Sequence, residues 1–503
     1  MSAGPSAPVQ PAELNAKRLF AVYTLGRDFE RNDPKASTEA IVGSESQALT
    51  VSNLIDQRPM SAFQVWTVLL CGFVLVLDGF DAQVIGFLTP SIAKSTGIPV
   101  HTFGPILSAS LVGLMVAAMA TGPIADRWGR KWPVIISAFS FGVFSLLTAR
   151  ATTFNELLIL RFLTGLGLGA AMPNVVALAS EYIPRRKLSL FVTLLFIGMP
   201  LGSVICGLVS SAMLPTWGWQ SVFYVGGIVP LAISVGLIAV LPESVQFLAV
   251  RGKDSQRMRK ILTRISPELA NAPIDFASVS PERSRKGIPV KYLFTDGRAM
   301  GTIMLWLPNF MNLLLLYFLR SWLPALLTEA GLSISAGVTA TTFLSFGGIV
   351  GCLAEGPMMN ASGAYLTLLS EFGLSGLFVG ALALITRSLP LVSVVAFTLG
   401  FLITGAQAGL NALAASFYPT SIRSTGVGWA LGVGRIGSIV GPLVAGMLLS
   451  NGWKPKDILL AGAVAGIFGW LVILLGNQIK GHASPYAAEV GVERSDHKEE
   501  VRI

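Results

Sequence analysis

The sequence is poor in charged residues. Asp, Glu, Lys and Arg together make up 13% of its 503 residues, whereas a soluble domain carries about 25%. The segment 188–242 contains none of them. Because a soluble domain needs a polar surface around its apolar core, such a segment has to lie in an apolar environment. The scarcity of charge therefore predicts an integral membrane protein.

Cysteine and histidine are scarce too, with three residues of each. Cys71, Cys206 and Cys352 all lie in apolar runs, where we expect them to pack as small apolar side chains. No spacing typical of a metal site or a disulfide framework is present. The sequence also offers no nucleophile with a base near it. We therefore expect no metal, no cofactor and no enzymatic activity.

Long apolar runs fill most of the chain, and a helix needs about 20 such residues to cross a membrane. Twelve runs qualify, and they lie near residues 62–88, 103–124, 133–150, 157–179, 189–213, 221–241, 300–320, 336–358, 364–385, 389–412, 425–450 and 457–477. This pattern predicts an all-α integral membrane fold with twelve transmembrane helices.

The loops after the even-numbered runs are rich in Lys and Arg. Arg130, Arg185 and Arg423 lie in such loops, and the connection 242–299 holds eleven basic residues. Basic loops remain in the cytoplasm, so we expect both chain ends there, with the protein in the inner membrane of the cell. The same rule explains the formal net charge of +9, which does not require a nucleic-acid partner.

An internal repeat divides the chain into two. The segment 122–129 (Gly-Pro-Ile-Ala-Asp-Arg-Trp-Gly) recurs as 356–363 (Gly-Pro-Met-Met-Asn-Ala-Ser-Gly), 234 residues later. Two parallel six-helix repeats are a known transporter architecture. We expect five parts, namely a cytoplasmic tail 1–60, a six-helix half 61–241, a cytoplasmic connecting loop 242–299 with short helices, a second half 300–477 and a cytoplasmic tail 478–503.

Two acidic residues lie inside the first run. Asp78 and Asp81 are three positions apart and therefore share one helix face. Two neighbouring carboxylates cannot both ionise cheaply in a bilayer, so at least one should hold a proton near neutral pH. The pair is a candidate for proton coupling or substrate binding. The alternative is a structural role in salt bridges with arginines of other helices.

Three arginines also fall within the runs, namely Arg161, Arg320 and Arg435. A buried guanidinium needs a partner, which is either an aspartate of the first run or a carboxylate of the substrate. Arg435 is expected near the middle of the membrane. Arg161 and Arg320 are expected nearer the external ends of their helices, where snorkelling or ion pairing is the alternative. All three are candidates for binding a substrate carboxylate.

Further polar and aromatic residues are candidates for weaker roles. Gln407 and Asn411 in the tenth run suit a polar substrate group, or equally a helix–helix hydrogen bond. Phe80, between the two aspartates, could flank an aromatic ring. Glu181 and Glu355 are further candidates for a proton relay, but both lie near the cytoplasmic ends of their runs, where solvated interface charges are expected instead.

Glycines four positions apart let two helices approach closely. Gly198–Gly202, Gly428–Gly432 and Gly437–Gly441 are such pairs within predicted spans. We expect close helix contacts at all three.

Several motifs resemble those of a known family. The segment 122–131 resembles the signature of major-facilitator transporters between spans two and three, through Gly122, Asp126, Arg127, Gly129 and Arg130. Asp78-Gly-Phe-Asp81 resembles the acidic motif of the aromatic acid:proton symporters within that superfamily. The segments 161–174 and 409–437 are similar to the fourth, tenth and eleventh spans of those symporters.

This resemblance implies a major-facilitator fold with two pseudo-symmetric six-helix halves. It implies proton-coupled uptake, by alternating access, of an aromatic carboxylate such as 4-hydroxybenzoate, benzoate or protocatechuate. Asp78 and Asp81 would serve transport, and Gly122, Asp126 and Arg130 would form a cytoplasmic latch. The expected partners are the carboxylate, protons and the lipid bilayer, the protein is expected to be a monomer, and the number of protons per substrate stays open.

Two positions depart from the family pattern. Asn360-Ala361 stands where the second-half signature normally has Asp-Arg, and Arg320 stands where a small polar residue is expected. Other functions therefore stay open, namely a proton-driven carrier or exporter of another organic anion and a carrier of a sugar or organic cation. A transporter-like membrane sensor is a further alternative, although the tails carry no recognisable output domain.

Overall fold

The described part of the chain is helical. The computed structural model describes residues 55–56, 59–251, 255–265, 290–385, 388–419 and 422–478, and these residues contain no strand. The α-helices are α1 (Ala62–Thr96), α2 (Phe103–Trp128), α3 (Lys131–Thr148), α4 (Phe154–Gly169), α5 (Ala171–Tyr182), α6 (Arg185–Val240), α7 (Val245–Arg251), α8 (Ser255–Ile265), α9 (Ala299–Glu329), α10 (Ile334–Leu382), α11 (Leu389–Phe417), α12 (Arg423–Ser450) and α13 (Pro455–Gln478). Two short 3-10 helices are Val100–Thr102 and Val290–Phe294.

Within the described residues, ten helical segments are long and apolar enough to cross a membrane, with α4 and α5 together forming one of them. Two of the ten consist of two helical arms each, namely α6 with 56 residues and α10 with 49. Each breaks at a glycine in the left-handed region, Gly218 with φ 73° and Gly363 with φ 79°. A straight helix of 49 residues would be more than twice as long as the roughly 30 Å hydrocarbon core is thick. The two arms of each double helix therefore cross separately, which gives the twelve predicted crossings.

Helix ends follow local sequence signals. Ser61 caps α1 and Thr153 caps α4, each in a reciprocal capping box with the residue three positions later. Gly97 ends α1 in the left-handed conformation, with φ 74°. Within the predicted connection 242–299, the described residues form α7, α8 and the second 3-10 helix.

Glycines set how closely the helices pack. A side chain at Gly202 of α6 would overlap the backbone of Val76 in α1, and one at Gly437 of α12 would overlap the backbone of Phe310 in α9. The predicted close contacts at Gly198–Gly202 and Gly437–Gly441 are therefore confirmed. The third prediction is wrong, because Gly428 and Gly432 have open space where a side chain would point.

The helices form two groups, α1–α6 before the connection 242–299 and α9–α13 after it. The two groups contact each other mainly on one side of the bundle. We call the side with the turns at Gly97, Ala149 and Gly331 the odd-loop side, and the opposite side the even-loop side. Gln83 Nε2 of α1 donates to the Arg320 carbonyl of α9 at 2.6 Å. Ser108 Oγ of α2 donates to the Ile439 carbonyl of α12 at 2.9 Å. All four residues lie in the part of their helix nearer to the odd-loop side.

Candidate functional site

Asp81 forms a buried ion pair with Arg161. Oδ1 of Asp81 lies 3.1 Å from Nη1 of Arg161, and their side chains are 2% and 0% exposed. Arg161 also donates from Nη2 to the hydroxyls of Thr148 at 3.0 Å and Thr164 at 3.1 Å. Its guanidinium lies 5.1 Å from the centre of the Phe223 ring. The pair thus joins α1, α3, α4 and α6 within the first six spans, and Arg161 does not snorkel.

Asp78 lies one turn earlier on the same face of α1 and has a different environment. It is 1% exposed, and its Oδ1 has no hydrogen-bond partner. The charged groups that act on it are Arg435 and Asp81. Arg435 forms no ion pair with Asp78 within 4.0 Å, and Asp81 carries a charge of the same sign. Asp78 is therefore a buried carboxyl group without a close counter-charge, a state that favours its protonated form.

Arg435 reaches from α12 towards the first six spans. It is half-buried, and its Nη1 donates to the Tyr317 hydroxyl of α9 at 3.2 Å. Its Nη2 lies 3.8 Å from Sδ of Met172 in α5. No carboxylate among the described residues lies within ion-pair distance of Arg435. The guanidinium therefore lies between α5 of the first group of helices and α9 of the second group, and it remains able to bind an anion.

Arg320 is a second arginine without an acidic partner. The residue is 8% exposed, and its Nε has no hydrogen-bond partner. Its electrostatic neighbours are Tyr317 and Cys352, and no described carboxylate lies within ion-pair distance. A guanidinium buried in this way needs an anion to offset its desolvation. Of the two roles predicted for Arg320, anion binding fits this environment better than ion pairing within the protein.

Gln407 and Asn411 belong to an amide network between α9 and α11. Nε2 of Gln407 donates to Oδ1 of Asn309 at 2.9 Å and to Oδ1 of Asn411 at 3.1 Å. Nδ2 of Asn312 donates to Oε1 of Gln407 at 3.0 Å. The sequence analysis missed Asn309 and Asn312, although two asparagines three positions apart in an apolar helix were a visible signal. Gln407 thus forms the helix–helix hydrogen bonds that were one of its two predicted roles.

An aromatic residue other than Phe80 contacts Arg435. Phe80 is 7% exposed, and its ring packs where a side chain at Gly226 of α6 would point. Tyr317 instead holds the Arg435 guanidinium through its hydroxyl group. The structure therefore places Phe80 in the packed core and Tyr317 beside the arginine.

The signature motif lies at the even-loop side, where α2 turns into α3. Gly129 makes this turn with φ 85°, and the Arg130 guanidinium pairs with the Glu181 carboxylate of α5. Ser244 Oγ donates to Oε2 of Glu181 at 2.7 Å. Oε1 of Glu243 accepts from the backbone N–H of Arg130 at 2.8 Å. These contacts connect the α2–α3 turn to α5 and to the end of α6.

The remaining residues of the motif are less informative. The surroundings of Gly122 and the side chain of Asp126 lie outside what the structure describes. The latch role predicted for Asp126 therefore stays a prediction. Arg127 lies in the last turn of α2 with an exposed side chain.

Two glutamates differ from the predicted solvated interface charges. The Glu181 side chain is 3% exposed because Arg130 and the segment after α6 cover it. Glu355 is also 3% exposed. Those predictions were wrong because the end of an apolar run does not coincide with the protein surface when a neighbouring segment packs over it.

Comparison with known proteins agrees with this arrangement. Residues 71–442 match the model of the Major Facilitator Superfamily. The 4-hydroxybenzoate transporter PcaK of Pseudomonas aeruginosa is 37% identical, over 85% of this chain and 96% of that protein. A gallate transporter of Pseudomonas putida is 40% identical, over 80% of this chain and 90% of that protein.

A solved structure supports the fold independently of close sequence similarity. The crystal structure of a D-xylose-proton symporter has a TM-score of 0.64 at 15% identity, and the match covers 84% of this chain and 99% of that one. The predicted twelve-helix major-facilitator fold is thereby confirmed. The matched family and the relatives are transporters, as predicted, and not enzymes. The chain belongs to the Major Facilitator Superfamily and is a multi-pass membrane transporter.

Proposed function

We propose that the protein is a symporter that carries an aromatic carboxylate into the cell together with protons. The relatives named for transport of 4-hydroxybenzoate and gallate supply the substrate class. The observation that carries the proton coupling is Asp78, a buried carboxyl group whose Oδ1 has no hydrogen-bond partner. A group in this state can accept a proton when the substrate binds and release it when the substrate leaves.

The two aspartates have different tasks in this proposal. Asp81 already has a counter-charge in Arg161, so protonating it would leave a buried guanidinium unpaired, which is costly. Asp78 has no such pair to break. Asp78 therefore carries the proton, and Asp81 with Arg161 fixes the face of α1 on which Asp78 lies.

The substrate carboxylate binds to an arginine that has no described acid within ion-pair distance. Arg435 meets this requirement between α5 and α9, with Tyr317 and Met172 as its only close partners in the described structure. An anion bound there adds a second negative charge near Asp78. A proton on Asp78 removes that repulsion, which links anion binding to proton uptake. Arg320 is the second candidate for the carboxylate.

Alternating access follows from the contacts between the two groups of helices. The positive-inside rule places the basic even-loop side in the cytoplasm, with both chain ends, in the bacterial inner membrane. The odd-loop side then faces outwards, and the contacts Gln83–Arg320 and Ser108–Ile439 close it. With this orientation, the proposal assigns the structure to a state closed to the outside. The contacts of Arg130, Glu181 and Glu243 act as a cytoplasmic latch, and the transporter works as a monomer.

Calorimetric titration of the purified protein with 4-hydroxybenzoate tests this proposal. Titrations in buffers with different ionisation enthalpies give the number of protons taken up per ligand bound. We expect about one proton for the unmodified protein and close to none for Asp78→Asn, with glucose as a ligand control. Binding without proton uptake would contradict the coupling. Absence of binding by 4-hydroxybenzoate, gallate and benzoate alike would contradict the substrate class.

A further inference from the structure

A second pair of buried carboxyl groups lies in α10, away from the site described above. Glu355 is 3% exposed and Glu371 is 1% exposed. None of their four carboxyl oxygens receives a hydrogen bond from a donor group. The two carboxyl groups nevertheless lie within hydrogen-bonding reach of each other. Two ionised carboxylates in this position would repel each other in an apolar environment, whereas one shared proton supplies the missing donor.

The position of the pair follows from the break in α10. Glu355 precedes Gly363 by eight residues and Glu371 follows it by eight, so the two side chains meet across the antiparallel arms. Eight residues of helix place them roughly 12 Å from the turn, which is too deep for a solvated interface charge. The internal repeat places Thr121 and Ser137 at the same distances from Gly129. The helical turn itself therefore does not require acidic residues.

Glycines of α11 make room for the pair. A Cβ atom at Gly405 would lie 2.8 Å from Oε1 of Glu371 and 3.3 Å from Oε2 of Glu355. A side chain at Gly409 would overlap the carboxyl group of Glu355. The carboxyl pair therefore lies directly between the two arms of α10 and the backbone of α11.

The neighbouring helices bring no basic side chain to this pair. α11 has no ionisable residue, and α6 has no Asp, Glu, Lys or Arg after Lys187. On α10 itself the ionisable neighbours are Cys352 and Tyr365, and Arg320 of α9 lies against Cys352. Lys456 and Asp457 of α13 lie in its first turn, near the odd-loop side. Asp78 and Asp81 of α1 interact with Arg435 and Arg161 instead.

We propose that Glu355 and Glu371 form a second proton-binding site, in which one shared proton holds the two arms of α10 together against α11. The ligand is a proton because, among the described residues, no third Asp, Glu, His or Cys side chain joins the two carboxyl groups to complete a metal site. Loss of the shared proton leaves two negative charges side by side and loosens the packing of α10 on α11 at the even-loop side. In this half, where Asn360-Ala361 replaces the charged pair of the signature, the protonated pair holds the two arms of α10 in place.

Infrared difference spectroscopy of the purified protein tests this proposal without substrate or gradient, so its outcome is separate from that of the proposed symport. Raising the pH should remove a band of a protonated carboxyl group. Carbon-13 labelling of glutamate should shift that band, whereas labelling of aspartate should not. Glu355→Gln and Glu371→Gln should each shift it, because the remaining carboxyl group no longer shares its proton, and the double variant should abolish it. Glu156→Gln, at an exposed cap of α4, should leave it unchanged.

The opposite results are equally clear. A band that stays unchanged in both single variants or survives in the double variant would overturn the proposal, and so would a spectrum without any glutamate carboxyl band. A signal that requires sodium ions instead of a pH change would overturn it as well. If the variants do not fold, the unmodified protein can be treated with dicyclohexylcarbodiimide, which reacts with protonated carboxyl groups in apolar surroundings. Peptide mapping should find the modification at Glu355 or Glu371, at a rate that falls as the pH rises. Modification elsewhere only would contradict the shared proton.

Discussion

Asp81 is bound to Arg161 at 3.1 Å, whereas Asp78, on the same face of α1, has no hydrogen-bond partner on its Oδ1. The two residues of one acidic motif therefore differ in what protonation costs. Protonating Asp81 breaks an ion pair inside the protein, and protonating Asp78 does not. This difference is the basis for assigning the structural role to Asp81 and the coupling role to Asp78.

Replacing Asp81 should destabilise the fold more than replacing Asp78. Asp81→Asn leaves the fully buried Arg161 without a counter-charge, and breaking a buried pair in this way costs about 3–5 kcal/mol. Thermal unfolding in detergent should show a clear loss of stability for Asp81→Asn and a small change for Asp78→Asn. Equal melting temperatures for the two variants would remove the distinction between them.

Arg435→Lys should abolish most of the transport while the protein stays folded. Lysine keeps the positive charge but cannot make the two parallel hydrogen bonds that a guanidinium makes to a carboxylate. We expect substrate affinity to fall by about tenfold or more, which corresponds to roughly 1.4 kcal/mol. Arg320→Lys provides the matched control. A normal affinity in Arg435→Lys combined with a loss in Arg320→Lys would move the carboxylate site to Arg320.

Glu181→Gln should change the transport rate more than substrate binding. The substitution removes the charge that pairs with Arg130 but keeps a side chain of the same shape on Ser244. We expect the rate of substrate exchange across a vesicle membrane to change severalfold, with the binding constant within a factor of about two. A loss confined to affinity would argue against a latch.

The close packing of α1 on α6 depends on Gly202. A methyl group there would overlap the backbone of Val76, which cannot move aside easily. Gly202→Ala should therefore cost about 1–3 kcal/mol, the usual range for overpacking. A methyl group at Gly236 in the same helix would meet open space. Gly236→Ala should therefore leave the melting temperature nearly unchanged. The two variants can be compared by thermal unfolding in one detergent.

Much of the fold could be predicted from the sequence because a bilayer imposes simple rules on length and polarity. Twelve apolar runs of sufficient length determined twelve helices, and the repeat of 122–129 at 356–363 marked corresponding turns. What could not be predicted was which glycines face a neighbour. Gly202 and Gly428 each belong to a pair with the same spacing, yet only Gly202 packs against another helix, because spacing does not fix the direction in which a helix face points.

The candidate site was predictable in its charged residues and not in their pairing. Asp78, Asp81, Arg161, Arg320 and Arg435 stand out because charge is rare in a membrane span. Which arginine meets which aspartate depends on tertiary packing, and so does the burial of Glu181 by the segment after α6. Glu371 was not predicted as a functional residue, because its role depends on Glu355 across the turn, and the sequence alone does not show that the two residues pair.

The most direct test of the account is the accumulation of labelled 4-hydroxybenzoate in proteoliposomes under an imposed inward proton gradient. The account predicts accumulation against a concentration gradient by the unmodified protein, collapse of this accumulation on addition of a protonophore, and none in Asp78→Asn. Asp78→Asn should still exchange labelled for unlabelled substrate, since exchange does not require a change in protonation. Accumulation that persists in Asp78→Asn, or that ignores the protonophore, would contradict the central claim that Asp78 couples the proton to the substrate.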